Sequence, residues 1–186
     1  MIRTFLAVDF DDPFLDEVAA LAERLRGAER LEAARWAGRE TLHGTLRFFG
    51  DTDDGQVAAL RTLVKELGAG ASSFAVRAPS VHGFPKPARA HVLVLDLHDV
   101  DGEALTLTSL AARAEARAVS LGFAAESRRF HAHLTLARMR KAVDVSSLAG
   151  EAASLPLGRV TSITLYASSS SPNGAVYTPL ERATLP

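Results

Sequence analysis

Two short segments of this 186-residue chain place an imidazole and a hydroxyl at alternate positions. They are Leu42-His43-Gly44-Thr45-Leu46-Arg47-Phe48-Phe49 and Ala132-His133-Leu134-Thr135-Leu136-Ala137-Arg138, with His133 following His43 by 90 residues. On an extended strand, residues i and i+2 share one face, about 7 Å apart. His43 and Thr45 therefore form one front, with Leu42, Leu46 and Phe48 behind it. His133 and Thr135 form another, backed by Leu134 and Leu136. The ordinary pKa of imidazole lies nearest neutrality, so one ring can take a proton while another gives one. A hydroxyl can bond a phosphoryl oxygen without adding charge. Two such fronts facing each other make a minimal site for displacement at a phosphodiester, where positioning and electrostatic support matter more than covalent chemistry. A 2′,3′-cyclic phosphate suits a metal-free site of this kind, because its strained ring lowers the barrier to opening. One His-x-Thr alone is most often a half-buried strand edge; two copies half a chain apart argue for function.

The elements that must hold these residues are legible from periodicity. Residues 2–10 read as a strand rich in Phe, Ile and Val. Asp12-Pro13 reads as an N-cap with Pro in the first helical turn, and Phe14, Val18, Leu21 and Leu25 follow at helical spacing up to Gly27. Val57, Leu60, Leu63, Val64 and Leu67 make a second helical stripe closed by Gly68 and Gly70. A third helix is expected from about Gly102 to Gly122. Extended segments fill 33–37, 42–49, 73–79, 91–97, 131–138, 158–168 and 174–184. Val92-Leu93-Val94-Leu95 is apolar throughout, as a strand covered on both faces requires. Gly83-Phe84-Pro85-Lys86-Pro87-Ala88-Arg89 reads as an extended, exposed loop. The run from Ser168 to Gly174 reads as a hairpin loop with an Asn-Gly turn. Strands and helices interleave without strict βαβ alternation, so the fold class is α+β.

Composition narrows the chemistry further. Lys plus Arg number 21 against 22 Asp plus Glu, a net charge of −1. That balance excludes a protein gripping long nucleic acid by bulk electrostatics; a nucleic-acid end or a nucleotide still fits. The absence of cysteine removes disulfides, thiolate nucleophiles and cysteine zinc sites. No apolar run approaches the roughly 18 residues of a membrane span, and the N-terminal segment is too short and too quickly acidic for a signal peptide. A cytoplasmic monomer is expected.

The two histidine segments resemble the signature of the two-histidine (2H) phosphoesterases. The wider chain is similar to the bacterial and archaeal RNA 2′,3′-cyclic phosphodiesterases, the 2′-5′ RNA ligase or LigT/ThpR family. The likeness runs through Arg3-Thr4-Phe5-Leu6-Ala7-Val8-Asp9, Arg35-Trp36, Leu42 to Gly50, Gly83-Phe84-Pro85-Lys86-Pro87 and Glu126 to Arg138. The resemblance implies one domain over residues 1–186 in two intertwined lobes. Pseudo-twofold antiparallel sheets would line a central cleft, with helices outside. It implies hydrolysis of RNA 2′,3′-cyclic phosphate ends to a 2′-phosphate, without metal or other cofactor. His43 and His133 carry over as the catalytic pair, and Thr45 and Thr135 as phosphate-holding groups. O3′ is then the leaving group; His43 is assigned as its general acid and His133 as the base that activates water. Gly44 stands where the family has a bulky apolar residue, and Ala132 where Pro is common. The first strand should lose packing and the approach to His133 should loosen.

Further residues are candidates for contact with substrate. Arg138 resembles a family arginine near the phosphate, but alternation puts it behind the strand unless the chain kinks after Ala137. Arg47 falls on the His43 face by the same alternation and could meet an anion. Arg128 could touch an RNA phosphate, and Phe84 could stack a base. His131-x-His133 is also a metal-ligand spacing, but Arg128, Arg129 and Arg138 around it would repel a cation. His82, His91 and His98 lack a patterned partner and read as structural. The alternatives left open are another cyclic nucleotide phosphate or a 2′-5′ linkage as substrate, a non-catalytic RNA-end binding module, and a metal hydrolase.

Overall fold

The computed structural model describes residues 1–171 and 174–186. Strand β1 (Ile2–Phe10) is buried on both faces, with Thr4, Leu6, Val8 and Phe10 on one and Phe5, Ala7 and the partly exposed Asp9 on the other. Helix α1 (Asp12–Arg26) follows and buries Phe14, Val18, Leu21 and Leu25. Its N-cap is Asp11 rather than Asp12, and Pro13 lies within its first turn, where a missing N–H leaves no intrahelical bond unmade. After β2 (Arg35–Trp36) and β3 (Gly44–Thr52), helix α2 (Asp54–Gly68) opens with a reciprocal capping box between Asp53 and Gln56. Strands β4 (Phe74–Arg77), β5 (Val81–Phe84), β6 (Ala90–Asp96) and β7 (His98–Asp99) lead to α3 (Leu107–Ser120). The chain ends with β8 (His133–Val143), β9 (Gly158–Ser171) and β10 (Gly174–Thr184).

The strands run in the order β5-β6-β8-β3-β1-β9-β4-β7, with β10 also on β9 and β2 also on β8. The sheet is antiparallel and has two halves: β8 lies with β6 and β5, and β3 with β1 and β9. One residue pair, Gly44 with Leu134, joins β3 to β8 and hence the halves. The two histidine segments thus meet at the centre of the molecule. Helices α2 and α3 pack on β9 with β10 and on β3, respectively. They cover a core that includes Leu6, Val8, Leu46, Leu63, Leu110 and Leu165. Burying each such side chain contributes about 1.5–3 kcal/mol relative to exposure. This is the expected α+β architecture, with helices against antiparallel strands.

Three elements depart from the sequence reading. Helix α3 starts at Leu107 rather than near Gly102, because Thr106 and Ser109 form a capping box and the Asp99 carboxylate accepts the Leu107 N–H at 2.7 Å. Gly83 and Phe84 belong to β5, not to an exposed loop; a Cβ at buried Gly83 would lie 2.6 Å from the side chains of Ala90 and Val145. The serine run is strand: Ser168–Ser171 pair with Tyr177–Gly174 through the main chain, which needs no apolar side chains. The Pro172-Asn173 part of the proposed hairpin loop lies outside the described residues. No helix among the described residues is long and apolar enough to cross a membrane.

Candidate active site

Both histidines are held by their own main chain. The Nδ1 of His43, just ahead of β3, is 2.7 Å from the Thr41 carbonyl oxygen. The Nδ1 of His133, the first residue of β8, is 2.8 Å from the His131 carbonyl oxygen. A carbonyl only accepts, so Nδ1 carries the proton in each ring and Nε2 is left for chemistry. The His43 Nε2 lies 3.1 Å from the Thr45 hydroxyl. His43, Thr45, His133, Thr135, Arg138 and Phe48 line one cavity of about 530 Å³, an ordinary size for a ligand pocket.

Burial pushes both imidazoles below the usual histidine range. For His43 the Thr41 carbonyl and Asp9 oppose this, while His133 and Arg138 push the same way as burial. For His133 the His131 carbonyl and Asp96 oppose it, while His131 and Arg138 add to it. Aromatic rings complete the setting of His43. Phe5 lies 5.0 Å from it by ring centroids, and Tyr177 stands edge-on at 5.1 Å.

A register shift after each His-x-Thr decides which side chains join the cavity. Ala7 pairs with Thr45 but Leu6 pairs with Arg47, so Leu46 is an extra residue in β3. Val94 pairs with Thr135 but Leu93 pairs with Ala137, so Leu136 is the corresponding extra residue in β8. Each bulge re-aims the side chains beyond it. Arg138 thereby reaches the cavity, by the kink that alternation alone does not supply. Arg47 is carried the other way: it is 7 % exposed, pairs with Glu115 of α3 and donates to the Ala124 carbonyl. The expectation that Arg47 shares the His43 face is therefore corrected. Phe48, expected on the apolar back, emerges at the cavity with 63 % exposure.

The other candidates are placed away from the cavity. Arg128 is exposed, and its main-chain N–H donates to the Glu126 carboxylate at 3.3 Å. Phe84 lies 5.1 and 5.4 Å from His131 and His133 by ring centroids, with the rings steeply inclined, so it flanks the second histidine. His82 joins the same cluster, 5.3 Å from Phe84. Among the described residues, no group of three or more His, Asp or Glu side chains is placed to hold a metal ion.

A family model described as LigT-like phosphoesterase matches residues 8–94 and 100–177. The chain belongs to the LigT-like phosphoesterase family. Curated relatives include the RNA 2′,3′-cyclic phosphodiesterase of Methanothermobacter thermautotrophicus, 29% identical across 97% of this chain and 97% of that one. The crystal structure of Escherichia coli LigT complexed with 3′-AMP matches with a TM-score of 0.67 and 26% identity, covering 99% of this chain and 97% of that one. A Thermus thermophilus structure matches more closely in backbone, with a TM-score of 0.77 at 23% identity, covering 99% and 98% of the two chains. That likeness is one of fold.

The two expected departures from the LigT-like pattern do not loosen this member. A Cβ on buried Gly44 would lie 3.0 Å from Val8 and 3.3 Å from Phe10, whose side chains fill the place of the missing one. The Ala132 carbonyl accepts the Leu97 N–H at 3.0 Å, which ties down the approach to His133. Sequence reasoning missed Phe5, Phe48, Tyr166 and Tyr177 around His43, and Arg3 and Arg35 at the cavity rim. One signal was available for Phe48: it stands 90 residues before Arg138, as His43 does before His133. Nothing in the sequence brings the tyrosines to His43; strand pairing does.

Proposed function

We propose that this protein hydrolyses 2′,3′-cyclic phosphate ends of RNA to 2′-phosphates, by two-histidine acid–base chemistry that requires no metal ion. The observation that carries this reading is the pair of His-x-Thr fronts around one cavity, with Arg138 beside them. The whole chain acts as one two-lobed domain. The neutral Nε2 of His133 takes a proton from water as the water oxygen bonds to phosphorus. The P–O3′ bond breaks, and O3′ receives the proton held on the Nε2 of His43. Thr45 and Thr135 donate to the non-bridging oxygens, and the Arg138 fork stabilises their growing charge. Phe48 offers an open ring face to the terminal base. The names of the archaeal relatives support the substrate class, and the 3′-AMP complex of LigT supports a nucleotide-sized ligand.

The test is turnover of an oligoribonucleotide ending in a 2′,3′-cyclic phosphate, with and without EDTA, using the native chain and the His43→Ala and His133→Ala variants. Chelator-resistant formation of a 2′-phosphate, lowered by at least about a hundredfold in both folded variants, is expected. Binding without turnover by the native chain would instead indicate an RNA-end binding module.

A further inference from the structure

Each histidine has a carboxylate opposite it on the neighbouring strand. In the second half, Asp96 of β6 pairs directly with His133 of β8. In the first half, Ala7 pairs with Thr45 and Val8 with Gly44, so the next residues along, Asp9 and His43, also come opposite each other. Side chains opposed in this way have Cβ atoms about 4.5–5.5 Å apart. Both carboxylates are largely enclosed, with side-chain exposures of 19% for Asp9 and 13% for Asp96. The arrangement occurs in both halves of the sheet and lies outside the His-x-Thr segments. We propose that Asp9 and Asp96 are positioning residues, each favouring the imidazolium form of the histidine it opposes, so that the acid and the base of the reaction are tuned separately. This rests on the two-histidine reading above.

The two carboxylates are equipped differently. Asp9 accepts hydroxyl hydrogen bonds from Ser162, Thr164 and Tyr166 at 2.6, 2.6 and 2.7 Å, and Arg182 stands 3.6 Å away. Burial, and then Asp9 itself, push the Tyr166 hydroxyl up to about 12, so Tyr166 keeps the proton it donates. Asp96 accepts one hydroxyl, from Ser80 at 2.9 Å; its Oδ1 has no hydrogen-bond partner among the described residues and faces the His131 Nε2 at 3.7 Å. Asp96 is thus shared between His131 and His133, whereas Asp9 opposes His43 alone.

Other titratable groups stand around each ring, most of them cations, imidazoles or phenols; Glu40 is a further carboxylate. Around His43 they are His133 and Arg138 from β8, Tyr166 from β9, Tyr177 and Arg182 from β10, and Arg39 and Glu40 from the preceding turn. Around His133 they are His131, Arg138, His43 across the cavity, and His82 in the cluster with His131. Asp9 and Asp96 are the carboxylates that pull the two rings upward against burial.

The test is titration of the His43 and His133 imidazoles by NMR in the full-length protein, in Asp9→Asn, Asp96→Asn and Arg182→Gln. Asp9→Asn should move the His43 midpoint down by about half a unit or more, and Asp96→Asn should do the same for His133. Arg182→Gln removes the cation beside Asp9 and should move His43 upward, a direction that loosened packing around the ring does not specify. In kcat/KM against pH, Asp9→Asn should pull in the alkaline limb, and Asp96→Asn should extend the acid limb. Unchanged midpoints in folded Asp9→Asn and Asp96→Asn overturn the proposal. If Asp9→Asn fails to fold, an unchanged His43 midpoint in Arg182→Gln overturns the Asp9 arm. Because the NMR titration needs no substrate, an inactive native chain would refute the proposed reaction while leaving this result to stand or fall separately.

Discussion

Beside His43 the strand bulge turns Phe48 into the cavity, and beside His133 the same device turns Arg138 into it. The first histidine rests among Phe5, Tyr166 and Tyr177; the second has Phe84 and the His131 imidazole for neighbours. Repeated backbone geometry thus supports unlike surroundings. The difference suits a ligand that is itself lopsided, with a flat base on one side of a charged phosphate. In the proposed reaction a cation is needed once, where the phosphoryl oxygens gather charge, and an aromatic face once, beside the base.

The comparison can be broken most decisively at the histidines. His43→Ala and His133→Ala should each lower kcat by about 10²–10⁴, and the double variant should be little worse than either, because the two act as a unit. A large rate surviving in only one variant would mean the halves do not share one reaction. Arg138→Ala should follow, with kcat reduced by about 10²–10³ as transition-state charge loses its partner. Phe48→Ala should cost less, about 1–3 kcal/mol, and chiefly in KM for substrates carrying a base. If Phe48→Ala lowers kcat as strongly as Arg138→Ala does, the proposed division between base-holding and charge-stabilising sides fails.

Arg47 and the pH profile sharpen the same contrast. Arg47→Met removes the cation beside Glu115 and the donor to the Ala124 carbonyl, and should cost about 1–3 kcal/mol of stability by chemical denaturation, with KM unchanged. Activity should follow a bell whose acid limb reports protonation of the base His133 and whose alkaline limb reports loss of the proton from His43. Burial holds both imidazoles down, so the bell should be centred below the usual histidine value of about 6.5. For the same reason the unfolded chain binds more protons just below that value, and stability should fall as pH is lowered through that window.

The chemistry was more legible in the sequence than its exact surroundings. His-x-Thr reports its own face because residues i and i+2 share a side whatever follows. Arg47, Phe48 and Arg138 lie beyond a bulge, and one extra residue inverts every later inference from alternation. The helices α1 and α2 were readable from their apolar stripes, whereas the start of α3 depends on Asp99, which approaches only in the folded chain. Tyr166 and Tyr177 reach the site through pairing between β1 and the C-terminal strands, a contact between opposite ends of the polypeptide, and Asp9 reaches it through pairing between β1 and β3; local pattern encodes neither.

The Gly44–Leu134 junction has a mechanical corollary. Ladders within each half fix the spacing of residues along that half, whereas a single β3–β8 backbone pairing, above a core shared by both halves, links the walls beside the histidines. Small rotations about that joint would change the gap between the two imidazoles while leaving each imidazole's own carbonyl tether and each threonine's place intact. Main-chain ties are thus dense where each histidine is aimed and sparse where the two walls meet.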